Sequence, residues 1–586
     1  MKAKDEAGFR KTAAAAMAAL AIALFSGTAL AAAEKENDSA AAVETPGLGW
    51  VSPLMQAAAQ EKAKAGTAPA VHNWHIFAAV GVSGYDLDGK LPGRFQNYRE
   101  VPRGFFLSAL DLDYLNKDSP WFLSLDATEV RERDQRIVAD AWYVGKLRTQ
   151  IYWDELPDFI SNSPTLYQNT ARGVLSVSPS IRSNLETLLG GPAGAPQPRP
   201  NGLPPAFIAA VGAELAVAPK VEIGTRRETG IFRQSWTPNE MIEIHFQAGE
   251  IRKHGTVPFG AGTFARQNLF PTPPLATPCA GRPATISPCD GFWEALGAEL
   301  PAPIDWRTDE LTGGVRLSGK IWMVGLDYDY QHFRDPVNGL TYDNWFRVTD
   351  AAGAPAGSAA GRARFARAQV AYPPTSEFNN VVVRAGVDLP RDSQVRGVFS
   401  WSKVRQNDAF QPYSLNTALS PSGPGLAGFD VTDPANLPRR SLDGNIRTIN
   451  QNYAFVTRAV APMTFRLQYR SEDSDNNSPV ITFPGFSRFG ESHFVTSLDY
   501  YGVPIRNRPE SFDKKDLTAS ARFDFARAFS TTLEYQFERW DRTLRNVPRS
   551  DEHMGRIHVD VTPNSAFALR ADYRYSNRKP DTYLTQ

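Results

Sequence analysis

Along much of the C-terminal part of the chain, polar and apolar residues take turns. Met463-Thr464-Phe465-Arg466-Leu467-Gln468-Tyr469-Arg470 is the clearest stretch, and Leu517-Thr518-Ala519-Ser520-Ala521-Arg522-Phe523-Asp524-Phe525 and Phe567-Ala568-Leu569-Arg570-Ala571-Asp572-Tyr573-Arg574-Tyr575 repeat it. Successive side chains of a strand point to opposite faces, so this pattern specifies a sheet apolar on one side and charged on the other. In an exported chain it predicts an all-β fold, a large antiparallel transmembrane β-barrel with a polar lumen. A soluble β-sandwich, whose apolar face packs on a second sheet, is the competing architecture.

The same reading along the chain predicts strands at 74–85, 103–115, 121–130, 139–153, 221–236, 241–253, 312–318 and 320–333. Further strands are predicted at 381–389, 395–406, 446–457, 463–472, 517–526, 529–542, 553–561 and 566–576. About sixteen strands falls inside the range of single-chain outer-membrane barrels. Thr237-Pro238-Asn239, Pro390-Arg391-Asp392-Ser393, Ala461-Pro462 and Thr562-Pro563-Asn564 read as tight turns, whereas 254–311, 334–376, 407–445 and 473–514 read as long loops. Short turns at one rim and long loops at the other suit a periplasmic and an external face. Parity then requires one more strand before Val221, for which Arg172 to Val177 is the best candidate, with a helix near Ala206 to Ala216 in the same connection.

The N-terminus supplies the export signal. Lys2, Lys4, Arg10 and Lys11 precede the small and apolar run Ala13 to Leu24, and Ala29-Leu30-Ala31 offers a small-x-small cleavage site. Residues 1–31 are therefore read as a cleaved signal peptide, 32–72 as a flexible periplasmic lead, and 73–586 as the barrel. No later apolar run is long enough to cross a bilayer as a helix, and mean hydropathy is −0.35. Lys+Arg and Asp+Glu are equal at 63 each, which argues against a nucleic-acid partner. The two cysteines, Cys279 and Cys289, lie close together in a Pro/Gly-rich segment and are read as one disulfide in an oxidising compartment.

Motifs for catalysis are missing. The chain has no Cys-x-x-Cys-His haem attachment, His-Glu-x-x-His, phosphate-binding loop, nucleophile elbow or dinucleotide fingerprint. The run Glu472-Asp473-Ser474-Asp475-Asn476-Asn477 lacks the spacing of a calcium loop and reads as a solvated strand end. His332, His553 and His558 are scattered and read as ordinary residues of the polar face. Phe399 with Trp401, Tyr535 with Phe537, and Tyr573 with Tyr575 suit either an interfacial girdle or plain strand propensity.

Several segments, in order, carry a family resemblance. They are Tyr98 with Arg103-Gly104, Leu300-Pro301-Ala302-Pro303-Ile304-Asp305-Trp306-Arg307-Thr308, and Ser441-Leu442-Asp443-Gly444. Tyr469-Arg470 with Asp475-Asn476, and Asn507-Arg508-Pro509 through Asp541-Arg542 to Asp551-Glu552, complete the series. On these the chain resembles the MtrB/PioB family of outer-membrane barrels that partner multihaem cytochromes. The resemblance implies a sheath around a separate multihaem c-type cytochrome, which carries the haem, with room for an external cytochrome as well. The barrel itself would hold no cofactor and catalyse nothing. Arg466, Gln468, Arg470, Arg522, Asp524, Glu534, Gln536, Glu538, Arg570, Asp572 and Arg574 would then face the lumen and its guest. Two departures stand out: the N-terminal Cys-x-x-Cys of some members is absent, and the chain lacks the terminal aromatic of complete barrels, which predicts C-terminal truncation. An ordinary diffusion porin is the rival function, and a secreted carbohydrate-active or adhesive β-protein a third.

Overall fold

The structure, a computed structural model, describes residues 74–84, 98, 104–115, 119–189, 204–267, 293–350, 365–419, 421, 426–488, 491, 493–496, 505–526 and 528–584. The signal and lead segments, Cys279 and Cys289 lie outside the described residues. The described chain opens with β1 (Trp74–Ser83), β2 (Gly104–Leu115), β3 (Trp121–Val130), β4 (Arg136–Tyr143) and β5 (Leu147–Pro164). Next come β6 (Gln168–Ala171), β7 (Val174–Ser176), helices α1 (Pro179–Leu188) and α2 (Pro205–Val217), β8 (Lys220–Asn239), β9 (Ile242–Gln267), β10 (Trp293–Ser318) and β11 (Trp322–Arg334). β12 (Gly339–Asp343), β13 (Arg367–Ala371), β14 (Ser376–Leu389), β15 (Ser393–Gln406), β16 (Gly444–Val460) and β17 (Met463–Asn476) follow. The chain closes with β18 (Gly485–Arg488), β19 (His493–Thr496), β20 (Phe512–Ala526), β21 (Phe529–Arg542), β22 (Arg549–Asn564) and β23 (Phe567–Pro580).

Seventeen of these strands form one antiparallel meander. Each pairs with the next along the chain, and β6, β7, β12, β13, β18 and β19 stand apart in two smaller sheets. β1 and β23 are the two edges, and no pairing joins them among the described residues. The links after β2, β4, β8, β10, β14, β16, β20 and β22 are all short, whereas the long links, beginning with 84–103 and 165–219, all fall at the opposite rim beside the short 131–135 and 543–548. An up-and-down sheet puts every second link at the same rim, so the long links are gathered at one of the two.

Three expectations need correction. The strand predicted at 139–153 is two strands, β4 and β5, folded at Val144-Gly145-Lys146, where Gly145 takes φ 73. A positive φ costs a glycine nothing, and this reversal supplies the strand that parity demanded. Arg172 to Val177 is thus not a wall strand; its core, β7, pairs in parallel with β12. The segment 254–311 is mostly strand, because β9 and β10 run far past their neighbours. Beyond Thr256 and before Arg307 they pair only with each other, as a two-stranded ribbon.

That ribbon supports a cap at the rim of the long links. β13, β12, β7 and β6 form its sheet. Leu166, Tyr167, Leu175 and Val177 meet Ala298, Leu300 and Ala302 of the ribbon and Leu340, Tyr342, Phe365 and Ala368 in one buried cluster. Leu185 of α1, Phe207 of α2 and Phe346 form a second. The α2 helix falls where the sequence predicts it, begun by Pro205 at its first turn, where a missing N–H leaves no bond unmade.

Candidate functional site

Directly paired residues of an antiparallel sheet share a face, so the register sorts the wall into two surfaces. One row runs Phe455, Leu467, Ala519, Tyr535, Gly555, Tyr575 across β16 to β23. Another runs Ile244, Val315, Leu326, Val383, Phe399 across β9 to β15. Many side chains of this face are exposed, Leu467 at 39% and the neighbouring Leu533 at 45% among them, as a lipid-facing surface requires, while Ile244, Phe399 and Phe455 are half-buried.

Toward the cap the outward face changes character abruptly. On β9, Ile244, Phe246 and Ala248 give way to Glu250, Arg252 and His254; on β21, Leu533, Tyr535 and Phe537 give way to Arg539 and Asp541. The charges pair across strands: Arg252 with Asp305 at 2.8 Å, Arg334 with Asp309 at 2.6 Å, Arg447 with Asp475 at 3.1 Å and Arg539 with Asp551 at 2.8 Å. This collar marks one edge of the apolar band. The outward positions from Phe529 to Phe537 cover about 20 Å of height at the rise and tilt of barrel strands, close to the roughly 25 Å of an outer-membrane band. Trp401 and Phe537 stand next to the collar, where a membrane interface seats aromatic rings.

The other face is polar. A single register row reads His75, Asp113, Ser124, Asp140, Gln150, Arg233, Gln247, Thr312, Asp329, Asn380, Ser402, Thr448 and Ser474 from β1 to β17. It begins beside the short-turn rim on β1 and ends beside the opposite rim on β17. That drift is the stagger by which tilted strands form a barrel wall. Neighbours in the row are bonded: Gln150 Nε2 donates to Asp140 at 3.1 Å, and Arg233 donates to Gln150 and Gln247 at 2.8 Å each. His245 Nε2 lies 2.9 Å from Asp327 across the intervening strand β10. It passes over Gly314, where an added Cβ would come within 2.6 Å of the imidazole. Arg384 closes on the same carboxylate from β14.

All the side chains predicted to face the lumen lie on this polar face. Gln468, Thr518, Gln536, Met554 and Ser576 form one row, and Arg466, Arg470, Arg522, Asp524, Glu534, Glu538, Arg570, Asp572 and Arg574 fall two, four or six residues away on the same strands. Gln468, 8% exposed, accepts from Arg466 at 2.9 Å and donates to Asn452 at 2.8 Å. Arg522 pairs with Asp524 at 2.9 Å, Glu538 with Lys514 at 3.1 Å, Arg570 with Asp560 at 3.2 Å and Asp572 with Arg556 at 2.6 Å. Gln536 bonds Asp516.

Sequence reading missed Asp140, Arg233, His245, Asp327 and Arg384. Alternation marked their strands, 241–253 and 312–318 among them, but the cross-strand partners depend on register, which no single strand displays. Two histidines are reassigned. His332 and His553 sit on the outward face, His553 2.7 Å from the Tyr535 hydroxyl, whereas His558 faces inward between Asp560 and Asp572. The acidic run at 472–476 is divided between the faces by the period of the strand, which separates Glu472 from Asp473 and Asp475.

In the cap, burial sets the electrostatics. Arg182 of α1 donates to the carbonyls of Asn344, Arg347 and Ala366 and pairs with Asp343 at 3.1 Å, both side chains under a tenth exposed. Burial pulls the Arg182 guanidinium below its ordinary pKa. Glu491 binds three strands of the cap's loops together: Gln369 N donates at 3.0 Å and Ser414 Oγ at 2.8 Å, with Leu415 N beside it. Loss of solvent outweighs those donors and pushes its carboxyl up to about 7. The Tyr342 hydroxyl, also raised by burial, donates to Gly262 O of the ribbon at 2.9 Å.

The chain is 22% identical over 254 residues to the outer membrane protein MtrB of Shewanella baltica, a match covering 43% of this chain and 31% of that protein. Among solved structures, the ferric-catecholate import receptor Fiu of E. coli K12 is similar over 81% of this chain and 63% of its own, at 11% identity and a TM-score of 0.33. OccK2 of Pseudomonas aeruginosa is similar over 87% and 90%, at 10% identity and a TM-score of 0.27. The chain spans about a third of the length of the Shewanella relative and under two thirds of Fiu. The sequence profile of the outer membrane beta-barrel porin family MtrB/PioB matches residues 89–586, the whole meander after β1, and the chain belongs to that family.

Proposed function

We propose that this outer-membrane barrel is a sheath for a separate multihaem c-type cytochrome, and that the pair carries electrons across the membrane. Membership of the MtrB/PioB family over residues 89–586 carries the reading. Two properties of the chain support it. With only Cys279 and Cys289, separated by nine residues, the chain has no Cys-x-x-Cys-His to attach haem covalently, so the redox centres come with the partner. Its wall separates an apolar exterior from a polar interior of paired charges, which suits a hydrated, charged guest. The work of the inner face is packing and charge complementarity rather than catalysis.

The second reading is a solute channel, favoured by the porin description of the family itself. Purification of the tagged protein from its native membrane separates the two. The sheath predicts a c-type haem spectrum that stays with the barrel through size exclusion and a closed, low-conductance state in planar bilayers. A haem-free barrel that conducts small ions as an open pore would establish the channel instead.

A further inference from the structure

The inner wall at β1 to β3 differs from the rest. Every other strand of the meander carries Lys or Arg, and some of these meet carboxylates of the polar face, as Arg384 meets Asp327 and Arg556 meets Asp572. The strands β1, β2 and β3 carry Asp111, Asp113, Asp126 and Glu129 but no Lys or Arg. Three side chains converge there. His75 stands directly opposite Asp113 in the β1/β2 register, and Asp111, two residues along β2, shares their face. One ligand atom from each lies within 4.8 Å of the other two. Asp126, opposite Asp111 on β3, adds a further negative charge beside them.

From this geometry we infer that His75, Asp111 and Asp113 form a binding site for a divalent first-row transition metal on the inner wall at the short-turn rim. Ligand atoms bound at about 2.0–2.2 Å to a tetrahedral ion stand roughly 3.4 Å apart, a spacing that small rotations of these side chains reach. One imidazole nitrogen with two carboxylates suits zinc, nickel or iron better than calcium, which prefers six or more oxygens. Rigid paired strands hold the donors, and three protein ligands leave the ion a coordination position open toward the lumen.

Zinc titration of the untagged full chain in detergent, followed calorimetrically, tests the site. The expected result is one zinc ion per chain with micromolar affinity, weakened at least tenfold by His75→Ala and by Asp111→Asn and unchanged by Asp140→Asn in the same row. Wild-type-like titration of both variants, or no zinc binding by the wild type, would overturn it. X-ray absorption of the zinc-loaded wild type decides the matter should a variant fail to fold. One imidazole with carboxylate oxygens supports the site, and sulfur or several imidazoles refute it.

Discussion

The barrel wall and the cap are made of the same kind of chain and held by opposite means. Among its most buried residues the cap has Leu300, Leu340, Ala302 and Ala368 at 0% exposure, packed as in the interior of a soluble protein. The wall has few such residues: its apolar side chains point outward, half exposed, and its polar ones bond in rows across the opposite face. Removing water stabilises the cap from within, whereas the wall depends on lipid to cover it. A substitution should therefore act through cavity and unpaired charge in the cap, and through membrane depth and face in the wall.

The sharpest break is Arg182→Ala. It removes the buried one of the two cations on Asp343, leaving the more exposed Arg367, together with the donor to three carbonyls, and should cost about 3–5 kcal/mol, confined to the cap. Hydrogen exchange would show α1 and the 343–349 segment losing protection while β20 to β23 keep theirs. Equal loss in both regions would mean that cap and wall are one cooperative unit. Leu533→Arg, at an outward position, should cost roughly 2–4 kcal/mol near the bilayer midplane, and Gln536→Arg on the polar face well under that. Denaturant titrations in lipid vesicles measure both, and equal costs would reverse the assignment of faces. Gly145→Val, at positive φ, should cost about 1–2 kcal/mol with no effect on the cap. The smallest effect is one of pH. Because the Glu491 carboxyl is raised from 4.5 to about 7, folding favours its protonated form. Its contribution is full below about 4.5 and declines as pH rises toward 7. Proteolysis of the cap should thus be faster at pH 8 than at pH 5, and Glu491→Gln should flatten that difference.

The same contrast decides what the sequence reveals. A wall strand announces itself, because a period of two residues survives in any local window: Met463 to Arg470 or Leu517 to Phe525 can be read without a neighbour. What such a window lacks is a short turn without strong breakers. Val144-Gly145-Lys146 passed as the middle of a strand, and the parity of the whole barrel turned on it. The cap core defies local reading altogether, since Tyr167, Leu300, Tyr342 and Phe365 come from distant segments and only packing makes them one cluster. Polar-face residues on late strands were legible from alternation. Their partnerships were not, because a bond such as His245 to Asp327 depends on register over three strands and on the missing side chain of Gly314.

The central claim is that this wall encloses a haem-bearing partner and conducts electrons only with it. Liposomes containing a trapped redox dye test it most directly when prepared with the complex purified from native membrane, or with the refolded barrel alone, and exposed to a membrane-impermeant reductant. The account predicts rapid bleaching of the dye with the complex, and none with the refolded barrel beyond that of protein-free liposomes. Bleaching at the same rate with the barrel alone, together with leakage of small solutes, would contradict it and leave an open channel in its place.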